Sequence, residues 1–217
     1  YDAGKKGPYC WAAMQFIDGE SLHQLIGRLA IRGMFDWREV WRVAFNIGQA
    51  LSFAHERKFI HRNVTPMNIM RSSQDKVCLL GDLTLAKALE GPQSLDITQP
   101  GHFVGDLAFM APERTSGEVA IDTRSDLYGL GATLYALLCG RPPFVSDSLI
   151  ELVRQIRNDE PRFPRTFQLS IQPQFENIVM KLLAKRPSER YQTPSLLLRD
   201  LERVGCFANL KAHDELI

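Results

Sequence analysis

The chain has 217 residues, 45% hydrophobic and 24% charged, and its 26 Lys and Arg against 25 Asp and Glu leave a formal net charge of +1. That length suffices to bury a sizeable core in one domain, and the interspersed charges give no basic footprint for nucleic acid or an acidic membrane surface. Cys10, Cys78, Cys139 and Cys206 lie far apart, with no Cys-x-x-Cys spacing, which argues against a zinc site or disulfide framework and reads as reduced thiols of a cytoplasmic domain.

In chain order, Tyr1 to Pro8 holds Gly4, Gly7 and Pro8 among charges, a turn signal, and Tyr9 to Met14 reads as a short aromatic and apolar strand. Ser21 to Ala30 reads as a short amphipathic helix. Asp36 with Glu39 three residues later has the wording of a capping box. The long helix it opens is marked by Val40, Val43, Ala44, Ile47, Leu51 and Ala54 at helical spacing, ending near Lys58. His55 within that helix is read as a structural residue. From Asp82 to Ala111 the sequence is rich in Gly, Pro, Ser and Thr without clear period, the mark of a long functional loop. The run Tyr128 to Cys139 is uncharged but too short to span a bilayer, and no signal-peptide pattern opens the chain, so no membrane segment is expected within it. Ser148 to Arg157 and Gln174 to Ala184 each read as a helix, and Thr193-Pro194 is an N-cap with Pro at N1 opening a last one.

Five motifs stand in a telling order on this frame. His61-Arg62-Asn63-Val64-Thr65-Pro66-Met67-Asn68, followed by Val77-Cys78-Leu79-Leu80-Gly81-Asp82, resembles the protein-kinase catalytic loop, the strand after it and its metal-binding Asp. Gly105-Asp106-Leu107-Ala108-Phe109-Met110-Ala111-Pro112-Glu113 is similar to the family's Gly-Thr-Pro-x-Tyr-x-Ala-Pro-Glu. Asp122 to Gly131 carries the Asp-x-Arg-Ser-Asp-x-Tyr-x-Leu-Gly wording of bacterial Ser/Thr kinases. Arg141-Pro142-Pro143-Phe144 ends a central helix as it does in that family, and Pro187-Ser188-Glu189-Arg190 matches its Pro-x-x-Arg.

The resemblance implies an α+β, mainly α fold: the large C-terminal lobe of a kinase with the hinge and the last small-lobe strand. Residues 1–19 would be the end of the small lobe and the hinge, 20–204 the helical lobe and 205–217 a tail. The glycine-rich loop, the strand Lys and the helix with its partner Glu are not written in this sequence. The resemblance places Met14 at the gatekeeper, Gln15-Phe16-Ile17 in the hinge against adenine, Ser21 on ribose, Met70 beneath adenine, and Asn68 with Asp82 on Mg²⁺. ATP and Mg²⁺ are thus the implied cofactors. Arg62 matches the Arg that pairs with a phosphorylated activation segment. Ser94 and Thr98 are candidate phosphosites in that segment, better read as ordinary loop hydroxyls. Asp126 would accept backbone hydrogen bonds from the catalytic loop, and Arg190 would pair with Glu113.

Three positions that touch one another in the family depart from it. Asn63 stands where the catalytic Asp orients the substrate hydroxyl and takes its proton, Thr65 where a Lys meets the transferring phosphate, and Asp106 where a Thr bridges the two. Leu83-Thr84 replaces Phe-Gly after the metal-binding Asp, and a β-branched Thr84 resists the swing that Gly allows. Asp106 either stands in for the base or hydrogen-bonds Asn63 and Thr65 and keeps the loop in shape. The expected function is a kinase-like domain impaired in phosphotransfer, a binding or regulatory module for a protein substrate or a regulatory protein partner. The alternatives are an active Ser/Thr kinase with an unusual loop, and a scaffold with no nucleotide site.

Overall fold

The structure, a computed structural model, describes residues 2–7, 9–32, 35–82, 107–115 and 121–211, the side chains of 3, 10, 12 and 29–32 excepted. Two small antiparallel sheets precede and flank a helical body. β1 (Asp2–Lys6) pairs with β2 (Tyr9–Ala13) from Asp2↔Ala13 to Lys6↔Tyr9. The opening residues are therefore a strand, contrary to the turn expected over Tyr1 to Pro8. Only at Gly7, with φ +62°, does the chain reverse, because glycine enters the left-handed region without a Cβ penalty.

The second sheet runs in the order β3 (Gly19–Ser21), β4 (Ile69–Ser72), β5 (Cys78–Leu80), with Ser21 opposite Met70 and Met70 opposite Leu79. It ties the segment after residue 17 to the strand that leaves the His61–Asn68 loop. β3 runs directly into α1 (Leu22–Arg32).

α2 (Trp37–Glu56) follows the apolar stripe read from the sequence, burying Val40, Val43, Ala44, Ile47 and Leu51. Its N-cap is Asp36 as expected, but the carboxylate accepts from the Arg38 N–H at 2.8 Å, and the Glu39 side chain does not complete a box. Glu39 binds Arg42 and, at 2.7 Å, Arg71 on β4, because an opposite charge across the fold outcompetes a local backbone donor.

α3 (Thr123–Cys139) is capped by Asp122, buried on every side from Ser125 to Cys139, and stopped by Gly140 at φ +71°. A helix with no polar face can only be a central one. At Gly129 a Cβ would lie 2.6 Å from the Val64 carbonyl oxygen, so glycine lets α3 back directly onto the His61–Asn68 loop. α2 and α5 (Pro173–Leu182) pack on α3, α6 (Pro194–Ala208) packs on both of them, and α4 (Leu149–Asn158) packs on the turn Pro112–Thr115. The Trp41 Nε1–H, buried between α2 and α6, donates to the Leu201 carbonyl at 2.9 Å.

Helix limits fall one or two residues from those expected. α5 begins at Pro173 because proline suits the first helical position, and α4 begins after Ser148, whose hydroxyl caps it. Thr193 caps α6 as read, accepting from the Leu196 N–H at 3.4 Å. Thr193→Ala is expected to cost about 1 kcal/mol, measured as a lower urea midpoint with unchanged slope. An unchanged midpoint would show that this cap is solvated at no loss.

Candidate active site

The His61–Asn68 loop has no regular structure until its last residues, Pro66–Asn68, form a 3₁₀ turn, so its shape must come from tertiary hydrogen bonds. Asp126, at the buried start of α3, supplies them. Its Oδ1 accepts from the Arg62 N–H at 2.7 Å, and its Oδ2 accepts from the His61 N–H and from His55 Nε2, both at 2.9 Å. These donors hold Arg62 at φ +66°, a conformation that an arginine adopts only when its surroundings over-determine it. His55 thereby serves the loop as a structural residue on α2.

His61 is fully buried. Its Nε2 lies 2.8 Å from the Gly81 carbonyl and its Nδ1 accepts from the Asn63 N–H at 3.3 Å. Only the neutral ring protonated on Nε2 satisfies both bonds. The imidazole therefore spans from Asn63 to the residue before Asp82. Asn68 closes the arrangement: its N–H donates to the Thr65 carbonyl at 3.1 Å, its carbonyl accepts from Gly81 at 2.7 Å, and its Nδ2 donates to the Asn63 carbonyl at 2.9 Å. Asp82 follows at φ +56°, a left-handed conformation that Asp tolerates better than most side chains.

These bonds separate two compartments. The larger is an open cleft of about 810 Å³ lined by Met14, Gln15, Phe16 and Ile17 on one side and by Asn68, Met70, Leu79 and Asp82 on the other. It is largely apolar, and its outer members are bare to solvent: Met14 is 64% and Phe16 87% exposed. Ser21 does not join this lining. It is buried, and its hydroxyl accepts from the Gln24 N–H at 3.2 Å as a cap on α1. Ser21-Leu22-His23-Gln24 has the wording of a capping box, and Gln24 Oε1 in turn accepts from the Ser21 N–H at 2.9 Å.

The smaller compartment is a void of about 10 Å³ beside Asn63 and Thr65, with Arg62, Met110, Arg114 and Gly129 among its walls. Thr65 Oγ1 is buried there without a hydrogen-bond partner among the described residues. Arg114 is a member that sequence reasoning missed. It donates through Nη1 to the Arg62 carbonyl, and burial pulls its guanidinium pKa down. Its place directly after Ala111-Pro112-Glu113 was the available signal. Asp106, Leu83, Thr84, Ser94 and Thr98 lie outside the described residues.

Glu113 and Arg190 form the expected pair, with Nη1 to Oε1 and Nη2 to Oε2 both at 2.8 Å. Burial alone would lift the Glu113 carboxyl, but the Arg190 hydrogen bonds and charge overcome it and hold the pKa below its usual value. Among the described residues no helix is long and apolar enough to cross a membrane.

The sequence model of the family described as "Protein kinase domain" matches residues 1–200. The chain is similar to the serine/threonine-protein kinase PknB of Mycolicibacterium smegmatis, 34% identical over 208 residues that cover 94% of this chain and 32% of that protein. It is 33% identical to the PknB kinase of Mycobacterium tuberculosis over the same extent of each. The chain thus spans about a third of the length of the curated relatives it matches.

Proposed function

The chain belongs to the protein kinase family, and on that premise we propose that it is a Ser/Thr-kinase-type domain impaired in phosphotransfer that acts by binding protein partners. One observation carries the reading: the loop is built and braced as a catalytic loop, yet its proton-accepting position holds Asn63. The Asn63 backbone is tied to His61 and Asn68, while its side-chain amide makes no hydrogen bond among the described residues. That amide can orient a hydroxyl but cannot take its proton near neutral pH. Thr65 in turn brings a hydroxyl where the family has a cation.

The residues present fit a nucleotide with its metal. The cleft volume falls in the range of small-molecule sites. With Nδ2 of Asn68 spent on the Asn63 carbonyl, its Oδ1 faces no hydrogen-bond donor among the described residues, and together with Asp82 it offers the oxygen ligands that Mg²⁺ takes. ATP·Mg²⁺, when bound, would bring the phosphoryl group and the charge that neutralises it. Met14 and Met70 would flank the base, and Asn68 and Asp82 would hold the metal. Ser21 is omitted from this assignment because its hydroxyl is engaged with Gln24.

The cleft is open and its outer residues Met14 and Phe16 are bare to solvent, so water stays beside any ligand. Titration calorimetry of residues 1–217 with ATP·Mg²⁺ is expected to give weak or unmeasurable heat, and micromolar affinity would contradict that expectation. The functional reading is tested in the protein of natural length by transfer of labelled phosphate from ATP to itself and to a general protein acceptor. Wild type is expected to match Asp82→Asn. Wild-type transfer far above that variant would overturn the reading.

A further inference from the structure

Most arginines in this fold are spent on a partner. Among the described guanidinium groups, only those of Arg141, Arg162, Arg165 and Arg199 form neither an ion pair nor a hydrogen bond. Three of the four meet at one corner, away from the cleft. Arg141 follows the Gly140 cap that ends α3, and its guanidinium lies 5.1 Å from the Phe167 ring centroid. Arg162 and Arg165 flank the start of the 3₁₀ turn Pro164–Thr166, which packs against α3 and α5. Burial lifts the Tyr135 hydroxyl pKa, and the charges of Arg141 and Arg162 both act against that lift.

One acid stands nearby: Glu176, buried on α5, accepts from the Arg165 N–H at 2.6 Å and offsets one positive charge, while Arg165 Nε is buried without a partner among the described residues. Beside these cations two apolar side chains stand in solvent, Phe163 at 54% and Leu169 at 82% exposure. Three cations against the buried Glu176 carboxylate leave positive charge in excess, and like charges repel one another. A guanidinium fork matches a carboxylate in two parallel hydrogen bonds, and an exposed aromatic beside it supplies an anchor.

We propose that the corner formed by Arg141, Arg162, Phe163, Arg165 and Leu169 docks an acidic peptide segment of a partner protein, with carboxylates on the arginines and an apolar residue between Phe163 and Leu169. A lipid surface is the poorer match. Near an anionic bilayer three arginines hold a protein only loosely.

The probe is a fluorescein-labelled synthetic peptide of Glu-Glu-Leu repeats, read by anisotropy against residues 1–217, with a Lys-Lys-Leu peptide as control and phosphatidylserine-containing vesicles as competitor. Binding of the acidic peptide alone is expected, weakened by added salt. The double variant Arg141→Glu/Arg162→Glu is expected to weaken it at least tenfold, which is about 1.4 kcal/mol, and Leu169→Ser to weaken it less. Thermal unfolding checks each variant, and Arg141→Gln/Arg162→Gln gives the same readout if the charge reversal unfolds the chain. No binding, equal binding by the charge-altered variant, equal binding of the Lys peptide, or displacement by the vesicles would each overturn the proposal.

Discussion

Arg190→Ala should destabilise the domain by about 3–5 kcal/mol, the usual consequence of leaving a buried charge without its partner. All five guanidinium N–H groups are used: two meet the Glu113 carboxylate and three meet the carbonyls of Ala184, Lys185 and Arg124 at 2.8–3.1 Å. Truncation removes every one of these bonds and strands Glu113 in the interior, where the Ser125 hydroxyl still donates to it. For a chain of this size each kcal/mol lowers Tm by about 2–4 °C, so a fall of about 6–20 °C is expected.

The pH dependence should change sign as well. In wild type the Glu113 pKa is depressed, so the unfolded chain binds this proton more readily than the native one. The stability it contributes is present above the unfolded value, near pH 4.3, and is lost as pH falls through the folded one. Without Arg190, burial dominates and raises the carboxyl, so mild acidification should stabilise the variant. Glu113→Gln added to Arg190→Ala should recover part of the loss. Denaturant unfolding across pH 4–8 decides it, and a loss below about 1 kcal/mol would rank the pair with exposed salt bridges.

This pair was legible in the sequence, as were the stripe of α2, the uncharged run of α3, the Thr193 cap and the role of Asp126. Each is written in neighbouring residues, or in a motif whose two halves keep fixed places. What stayed hidden depends on distance along the chain. Nothing near Glu39 announces Arg71, since the two meet only when β4 lies against α2. Ser21 is the exception, since its capping box with Gln24 is a local pattern three residues long. Asp2–Lys6 carries turn residues and becomes a strand because Tyr9–Ala13 offers it a ladder. Arg114 reads as one more surface cation until the Arg62 carbonyl, turned by its left-handed backbone, is found beside it.

The second large effect lies in rate. Loss of a positioned general base lowers a reaction by roughly 10²–10⁴-fold, and Thr65 leaves the phosphoryl group without a side-chain cation at a step that leans on electrostatic stabilisation. Asn63→Asp alone should therefore restore little. By the family's arrangement, the new carboxylate would sit near Asp106 with no Lys to separate them, and one of two crowded carboxyls is driven toward protonation. The loop's bracing by Asp126 and His61 uses only the backbone and ring atoms of its neighbours. The exchange at Asn63 is thus expected to leave folding intact, which thermal unfolding checks.

The most direct measurement compares labelled-phosphate transfer by the natural-length wild type, Asn63→Asp, and Asn63→Asp/Thr65→Lys/Asp106→Thr, with folding monitored in each. Little transfer in the first two and a rise of roughly 10²-fold or more in the third is the expected result. Robust transfer by wild type, or full recovery by Asn63→Asp alone, would contradict the account of an impaired site.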